Sequence, residues 1–190
     1  MCLPHENACL PLSTKPAVSA VDLYLPSPNF DARPEGERVS LVVVHAISLP
    51  PDQFGGAGVA QLFTNTLDPD EHPYYASIHH LRVSAHYFIR RDGLLIRFVD
   101  PALRAWHAGA SCWNGRERCN DFSVGVELEG CDTQPFEDVQ YRRLAELIGE
   151  LKQTYPIEAV VGHADIAPGR KTDPGPFFDW ERLAHDLARR

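Results

Sequence analysis

The amino-acid sequence predicts a single α/β domain with a mixed central β-sheet flanked by helices, and three observations carry this prediction. Residues 40–46 (SLVVVHA) form an apolar, largely β-branched run, which is typical of a strand buried on both faces. Residues 122–130 (FSVGVELEG) alternate in the manner of a strand, with Ser123, Gly125, Glu127 and Glu129 sharing one face. Residues 138–155 place apolar side chains at helical spacing, which indicates an amphipathic helix that ends before Pro156.

The remaining elements complete one α/β order along the chain. They are a short helix around residues 59–63, two strands joined at Asp92-Gly93, a strand at residues 159–162, a Gly- and Pro-rich loop at residues 163–176, and a closing helix from about Asp179. No repeat or linker interrupts this order. We therefore expect helices packed around one sheet.

The N-terminal region differs in composition from the rest of the chain. Residues 1–37 are rich in Pro, Ser and Asn and lack sustained periodicity, so they predict an irregular arm. We expect the arm proper at residues 1–20 and the domain at residues 21–190. The sequence shows neither a secretory signal nor a run of about 18 apolar residues, which favours a cytoplasmic protein without a membrane span.

Length and charge limit the possible partners. The chain has 190 residues, 44% of them hydrophobic, which is enough for one well-formed core and short for two. Its formal net charge is −8, and no long basic run is present. Binding to nucleic acid depends on clustered Lys and Arg, so a nucleic-acid partner is not expected.

The cysteines favour a reducing compartment. There are five, at positions 2, 9, 112, 119 and 131, and none has C-x-x-C spacing. A bridge between Cys112 and Cys119 stays open for an oxidising environment.

Three residues have the chemistry of a metal site. His45 ends the strand at residues 40–46, and His163 and Asp173 lie in the loop GHADIAPGRKTDPGP. Two imidazoles and a carboxylate supply the three protein ligands of an open zinc site, which leaves the fourth position for water. Each residue also has a simpler explanation, because a lone His is more often a satisfied buried or surface residue and an Asp before Pro-Gly is often a turn residue or helix cap.

Other histidines compete for the same role. His79, His80, His86 and His107 qualify on composition, although His86 lies in a predicted strand and fits a core role or a contact behind the ligands. His72 and His185 have the context of surface residues.

Five ordered blocks of the sequence resemble one enzyme family. They are VVVHAISLPPDQFGG, LRVSAHYFIRRDG, RAWHAG, GRERCNDFSVGVELEG and GHADIAPGRKTDPGPFFDW. In order and spacing they are similar to the cytosolic 1,6-anhydro-N-acetylmuramyl-L-alanine amidases of the AmpD type, which act in bacterial cell-wall recycling. The similarity extends from about Leu25 to Trp180. It implies the fold of phage lysozyme-type amidases and peptidoglycan recognition domains, in which a mixed sheet is surrounded by helices.

The resemblance also implies roles for individual residues. It places one Zn²⁺ per chain on His45, His163 and Asp173, a catalytic acid/base at Glu127 and an oxyanion-stabilising cation at Lys171. Alternation alone does not choose between Glu127 and Glu129, and an exposed strand carboxylate and a solvated lysine are the simpler explanations for Glu127 and Lys171.

The substrate that the resemblance implies is an anhydro-muropeptide, cut between N-acetylmuramic acid and L-alanine by a monomeric enzyme. Arg82 and Arg118 are candidate partners for stem-peptide carboxylates, and Trp106 is a candidate wall for sugar or peptide. Surface ion pairs and core packing are the alternatives for these three residues. Ala46 stands where close relatives are expected to have Asn, so one ligand-facing amide is missing or is supplied elsewhere. Two other functions stay open: a muropeptide-binding module without activity, and an amidase acting on intact peptidoglycan.

Overall fold

A computed structural model describes residues 21–190, and the predicted arm at residues 1–20 lies outside the described residues. The helices are α1 (Gly58–Phe63), α2 (Pro73–Ile78), α3 (Asp138–Thr154), α4 (His163–Ile166) and α5 (Trp180–Ala188), with a 3₁₀ turn at Cys119–Asp121. The strands are β1 (Leu23–Tyr24), β2 (Phe30–Asp31), β3 (Leu41–Ile47), β4 (Tyr87–Ile89), β5 (Leu95–Arg97), β6 (Arg104–Ala105), β7 (Cys112–Trp113), β8 (Arg116–Glu117), β9 (Ser123–Glu129) and β10 (Ala159–Gly162).

A six-stranded mixed sheet forms the centre of the domain, in the order β1-β5-β4-β9-β3-β10. Neighbouring strands run parallel except β4 and β5, which are joined by the predicted hairpin. The predicted α/β class is therefore confirmed. Strands β3 and β9 lie side by side with paired residues in register, from Leu41 opposite Ser123 to Ile47 opposite Glu129.

The two faces of this sheet differ in composition: one packs in the apolar core, and the other carries polar side chains. Val42 and Val44 of β3 pack with Val124 and Val126 of β9 in the core that α3 and α5 cover. The alternate residues of both strands point to the opposite face, because successive side chains of a strand alternate. That face carries Leu41, Val43 and His45 on β3 and Ser123, Gly125, Glu127 and Glu129 on β9. All seven residues of β9 are buried, so its polar face is not a solvent face.

Two regions depart from the predictions. Residues 21–37 contain β1 and β2, so this part of the predicted irregular arm is partly paired. A two-residue strand is held by its partner, β5 or β6 here, and leaves no periodic signal of its own. Helix α2 is the second region, since no helix is predicted there. The side chain of His72 accepts the Tyr74 N–H at 3.1 Å, and Pro73 occupies the first turn of the helix.

A half-buried arginine ties the N-terminal segment to the end of the sheet. The Arg33 guanidinium donates to the backbone carbonyls of Pro101, Asn120, Asp121 and Ser123 at 2.8–3.2 Å. Burial lowers the pKa of Arg33 to about 10, so it stays charged at neutral pH. These contacts fix the backbone on which the polar face of β9 begins.

Two further expectations concern cysteines and membrane spans. The described cysteines, Cys112, Cys119 and Cys131, are free thiols. Among residues 21–190, no helix combines the length and the apolar character needed to cross a membrane.

Candidate metal centre and catalytic cleft

Three side chains that are distant in sequence meet at one end of β3. The Nδ1 atoms of His45 and His163 are 2.9 Å apart, and Asp173 Oδ2 lies 3.2 Å from the first and 3.1 Å from the second. Both histidines are buried, and Asp173 is half-buried. The structure thus brings together the three predicted ligand atoms as one cluster that could hold a metal ion.

The cluster is built from neighbouring strands and one folded loop. Parallel pairing of β3 with β10 brings His45 close to His163, the first residue of α4 directly after β10. The loop then turns back, so that the Ala164 N–H donates to the Asp173 carbonyl at 2.9 Å. Thr172 Oγ1 donates to Asp132 Oδ2 at 2.6 Å and ties the loop to the chain beyond β9.

The chemistry of these donor atoms fits a zinc ion. Burial lowers the pKa of His45 to about 4, so its imidazole is neutral at pH 7 and keeps a lone pair. The Nε2 atom of His163 lies 3.2 Å from the Ala108 carbonyl, which can only accept, so the proton of a neutral His163 is on Nε2 and its Nδ1 is free to coordinate. Two imidazole nitrogens and one carboxylate oxygen are the donor set of an open zinc site.

A buried carboxylate stands beside the cluster. Glu127 is the register partner of His45, it lines the same cleft, and its Oε2 has no hydrogen-bond partner among the described residues. Burial raises the pKa of Glu127 well above its usual range, the negative charge of Asp173 adds to the shift, and Lys171 opposes it. A carboxylate with raised proton affinity suits acid/base work near neutral pH.

Glu129, the alternative on the same strand face, is already engaged. Its Oε1 accepts the Gly55 N–H at 2.5 Å, and its Oε2 accepts the Arg91 N–H at 3.0 Å. The geometry therefore favours Glu127 as the reactive carboxylate. Glu129 instead anchors the two loops that contain Gly55 and Arg91.

Comparison with known proteins places this site in a family. The sequence profile of the N-acetylmuramoyl-L-alanine amidases (Amidase_2) matches residues 35–176, a range that contains all three ligand candidates and Glu127. The chain belongs to the N-acetylmuramoyl-L-alanine amidase family. It is 58% identical over 161 residues to the 1,6-anhydro-N-acetylmuramyl-L-alanine amidase AmpD of Salmonella typhimurium, covering 84% of this chain and 86% of that protein.

Solved structures agree with this assignment to the amidase family. A crystal structure of AmpD superposes with a TM-score of 0.88 at 52% identity, over 93% of this chain and 99% of the other. The AmiD amidase from E. coli, solved with anhydro-N-acetylmuramic acid-L-Ala-D-γ-Glu-L-Lys, has a TM-score of 0.58 at 32% identity, over 81% of this chain and 60% of AmiD. The chain is thus an enzyme of the N-acetylmuramoyl-L-alanine amidase class.

The predicted substrate residues of this amidase occupy different places. Trp106 lines the cleft together with His45 and Glu127, and its indole Nε1 is buried without a partner among the described residues. Arg82 is exposed and lines an adjoining cavity with Trp106 and Lys171. Arg118 lies outside the cleft, where its Nε is 3.2 Å from Asp121 Oδ2. Lys171 is exposed and lines both the cleft and the adjoining cavity.

The competing histidines of the amidase fall into two groups. His107 reaches the cluster, with its Nδ1 2.9 Å from His45 Nε2, and His86 is buried nearby with its Nδ1 accepting the Gly125 N–H. His79, His80 and His185 are exposed and His72 is half-buried, and all four lie outside the cluster that gathers the ligand atoms.

The sequence gives no indication of a second set of residues, which support the amidase site through hydrogen bonds. They are Asn120, Ser123 and Arg170, whose side chains bond to the adjacent residues His107 and Ala108, and Asp132, whose side chain accepts from Thr172 in the loop that carries Asp173. Local patterns do not mark them, because each acts through a contact made only in the folded chain. The one available signal was the Ser-x-Gly-x-Glu alternation of β9, which puts Ser123 on the same face as Glu127.

Proposed function

We propose that this chain is a zinc-dependent amidase that hydrolyses the amide bond between N-acetylmuramic acid and L-alanine in 1,6-anhydro-muropeptides. Its place would be cytoplasmic cell-wall recycling. The observation that carries the proposal is the meeting of two imidazole Nδ1 atoms and one carboxylate oxygen within 3.2 Å, beside a buried glutamate. The names of the relatives support the choice of substrate.

The roles of the residues follow from chemistry at this cleft. Zinc held by His45, His163 and Asp173 would lower the pKa of water toward about 7 and polarise the scissile carbonyl. Glu127, with its raised proton affinity, would accept a proton from the attacking water and return it to the leaving amine of L-alanine. Lys171 would donate to the carbonyl oxygen while negative charge develops there.

Substrate recognition would use the rim of the cleft. The indole N–H of Trp106 is a buried donor that a sugar or peptide carbonyl would satisfy, since unpaired buried donors are costly. Arg82 adjoins the same region and offers a guanidinium to a stem-peptide carboxylate. Arg118 would reach such a carboxylate only after leaving Asp121. Ala46 lines the cleft, and its methyl side chain supplies no amide group to a ligand.

The proposal is tested by digestion and mass spectrometry. The purified protein is incubated with an anhydro-muropeptide, with the corresponding muropeptide that carries an ordinary reducing sugar, and with intact sacculi. We expect release of the L-alanine-terminated stem peptide, fastest from the anhydro-muropeptide and slowest from sacculi. Binding of the anhydro-muropeptide without release would favour the binding module, and a preference for sacculi would favour an amidase of the intact wall.

A further inference from the structure

Two adjacent residues, His107 and Ala108, contact the Nε2 atoms of the two candidate histidine ligands. His45 Nε2 lies 2.9 Å from His107 Nδ1, and His163 Nε2 lies 3.2 Å from the Ala108 carbonyl. The nitrogens that face each other across the candidate metal position are the other pair, both Nδ1. One dipeptide thus contacts, in each ligand, the ring nitrogen that does not face the candidate metal position.

The hydroxyl group of Ser123 sets the direction of the hydrogen bonds that the His107 ring makes. Ser123 Oγ lies 2.6 Å from the Cys119 carbonyl, which can only accept, so the hydroxyl proton is used there. The same oxygen lies 3.1 Å from His107 Nε2 and must accept from it. A neutral His107 then has a bare Nδ1.

The bare Nδ1 of His107 determines which nitrogen of His45 carries the proton. A bare His107 Nδ1 accepts from His45 Nε2, so the single proton of a neutral His45 lies on Nε2. The Nδ1 lone pair of His45 is then directed at His163 Nδ1 and Asp173 Oδ2. The opposite tautomer would leave His45 Nε2 and His107 Nδ1 facing each other at 2.9 Å as two bare nitrogens with no cation between them. The two bare Nδ1 atoms of His45 and His163, also 2.9 Å apart, would instead share the metal ion of the proposed site.

The dipeptide itself is held from three sides. The side-chain oxygen of Asn120 accepts the N–H groups of His107 and Ala108 at 3.1 and 2.8 Å. The Arg170 guanidinium donates to the Ala108 carbonyl at 2.8 Å, the same oxygen that His163 uses. The His107 ring lies against Gly125, where a Cβ would come within 2.4 Å of it.

We propose that the segment His107-Ala108, braced by Ser123, Asn120 and Gly125, is a positioning element that fixes the tautomers of His45 and His163 for metal binding. The inference rests on the proposed zinc site. His107 is a positioning residue, because it acts through His45. Contacts of this kind typically change metal affinity by about 10- to 100-fold when they are removed.

The test uses two readouts on the folded protein. The first is the Zn²⁺ dissociation constant, measured by competition with a chromogenic chelator. The second is the ¹⁵N chemical shift of His45, which distinguishes Nε2–H from Nδ1–H. The variants are His107→Phe, which keeps a ring without an acceptor, His107→Gln, whose amide oxygen can accept, and Ser123→Ala. Ser27→Ala is the matched control, since Ser27 is another buried serine that bonds a carbonyl, that of Phe63.

We expect the Nε2–H tautomer of His45 in the wild type, a mixture of tautomers in His107→Phe, and a Zn²⁺ dissociation constant raised about 10- to 100-fold. His107→Gln should recover part of the affinity, Ser123→Ala should show a smaller loss, and Ser27→Ala should match the wild type. Should His107→Phe fail to fold, Ser123→Ala decides alone.

Wild-type affinity in both His107→Phe and Ser123→Ala, or a proton on His45 Nδ1 in the wild type, would overturn the inference. A wild type that binds no Zn²⁺ would instead remove the proposed function, and the ¹⁵N signature of the metal-free protein would still decide the tautomer.

Discussion

His45 and Glu127 are register partners on two adjacent parallel strands, β3 and β9. Their side chains lie on the same sheet face, so strand pairing alone places a candidate metal ligand next to the buried carboxylate. The parallel neighbour β10 then delivers His163 to the same end of the sheet. The site is therefore a product of the central sheet, with one loop adding Asp173 and Lys171.

Replacing Asp173 with asparagine should separate metal binding from folding. The amide keeps the shape but loses the charge that balances a divalent cation, so we expect weaker Zn²⁺ binding and loss of turnover. Zinc content after dialysis and the rate of stem-peptide release measure both effects. Asp186→Asn on α5 is the control, and stoichiometric zinc with full activity in Asp173→Asn would refute the ligand assignment.

The two carboxylates of β9 should respond differently to the same substitution. Glu127→Gln should retain zinc and lose about 10²- to 10⁴-fold in rate, because it removes the proton acceptor. Glu129→Gln should instead destabilise the fold by about 1–3 kcal/mol, because it disturbs the bonds to Gly55 and Arg91, with little change in rate per folded molecule. Urea unfolding and turnover distinguish the two, and a reversed pattern would exchange their roles.

Acid should weaken the fold through buried histidines such as His86. Burial, with the nearby charge of Arg33, lowers the pKa of His86 to about 3, against an ordinary value of 6.5. The stabilising contribution of a neutral His86 is complete above pH 6.5 and is lost as pH falls toward 3, because only the unfolded state binds the proton there.

We expect His86→Asn to reduce the slope of unfolding free energy against pH by up to about 1.4 kcal/mol per pH unit between pH 4.5 and 6. Urea unfolding at several pH values measures it. His185→Asn, at an exposed position of α5, is the control for the loss of a histidine at the surface. A slope that is identical in wild type and His86→Asn would contradict the expected effect.

The bond between Thr172 and Asp132 should contribute to metal affinity. Thr172→Val removes the donor of that 2.6 Å contact while keeping side-chain shape, so the loop that carries Asp173 should become less ordered. A loss of about 1 kcal/mol corresponds to a Zn²⁺ dissociation constant raised roughly five-fold. Chelator competition measures it, with Thr66→Val as control, and an unchanged constant would show that the loop is held without this bond.

The sequence predicts the central elements well because their signals are local. β-Branched runs and alternation mark β3 and β9, and apolar spacing marks α3, whose bounds Asp138–Thr154 agree with the prediction. The two-residue strands β1 and β2 escape such reasoning, since only their pairing with β5 and β6 defines them.

The same limit applies to the site. His45, His163 and Asp173 could be proposed from residue type and position, yet their meeting depends on the parallel order β9-β3-β10. The choice between Glu127 and Glu129 needs the backbone amides of Gly55 and Arg91, which come from other loops. The contact of His107 with His45 joins residues 62 positions apart and has no local signature.

Zinc titration of the metal-free protein tests directly whether zinc at this site is required for amide hydrolysis. Metal is removed with a chelator, Zn²⁺ is added back in measured portions, and release of stem peptide from an anhydro-muropeptide is followed at each step. We expect negligible activity without metal and a linear rise in activity that ends at one Zn²⁺ per chain and is absent in Asp173→Asn. Full activity in the verified metal-free protein would contradict this expectation.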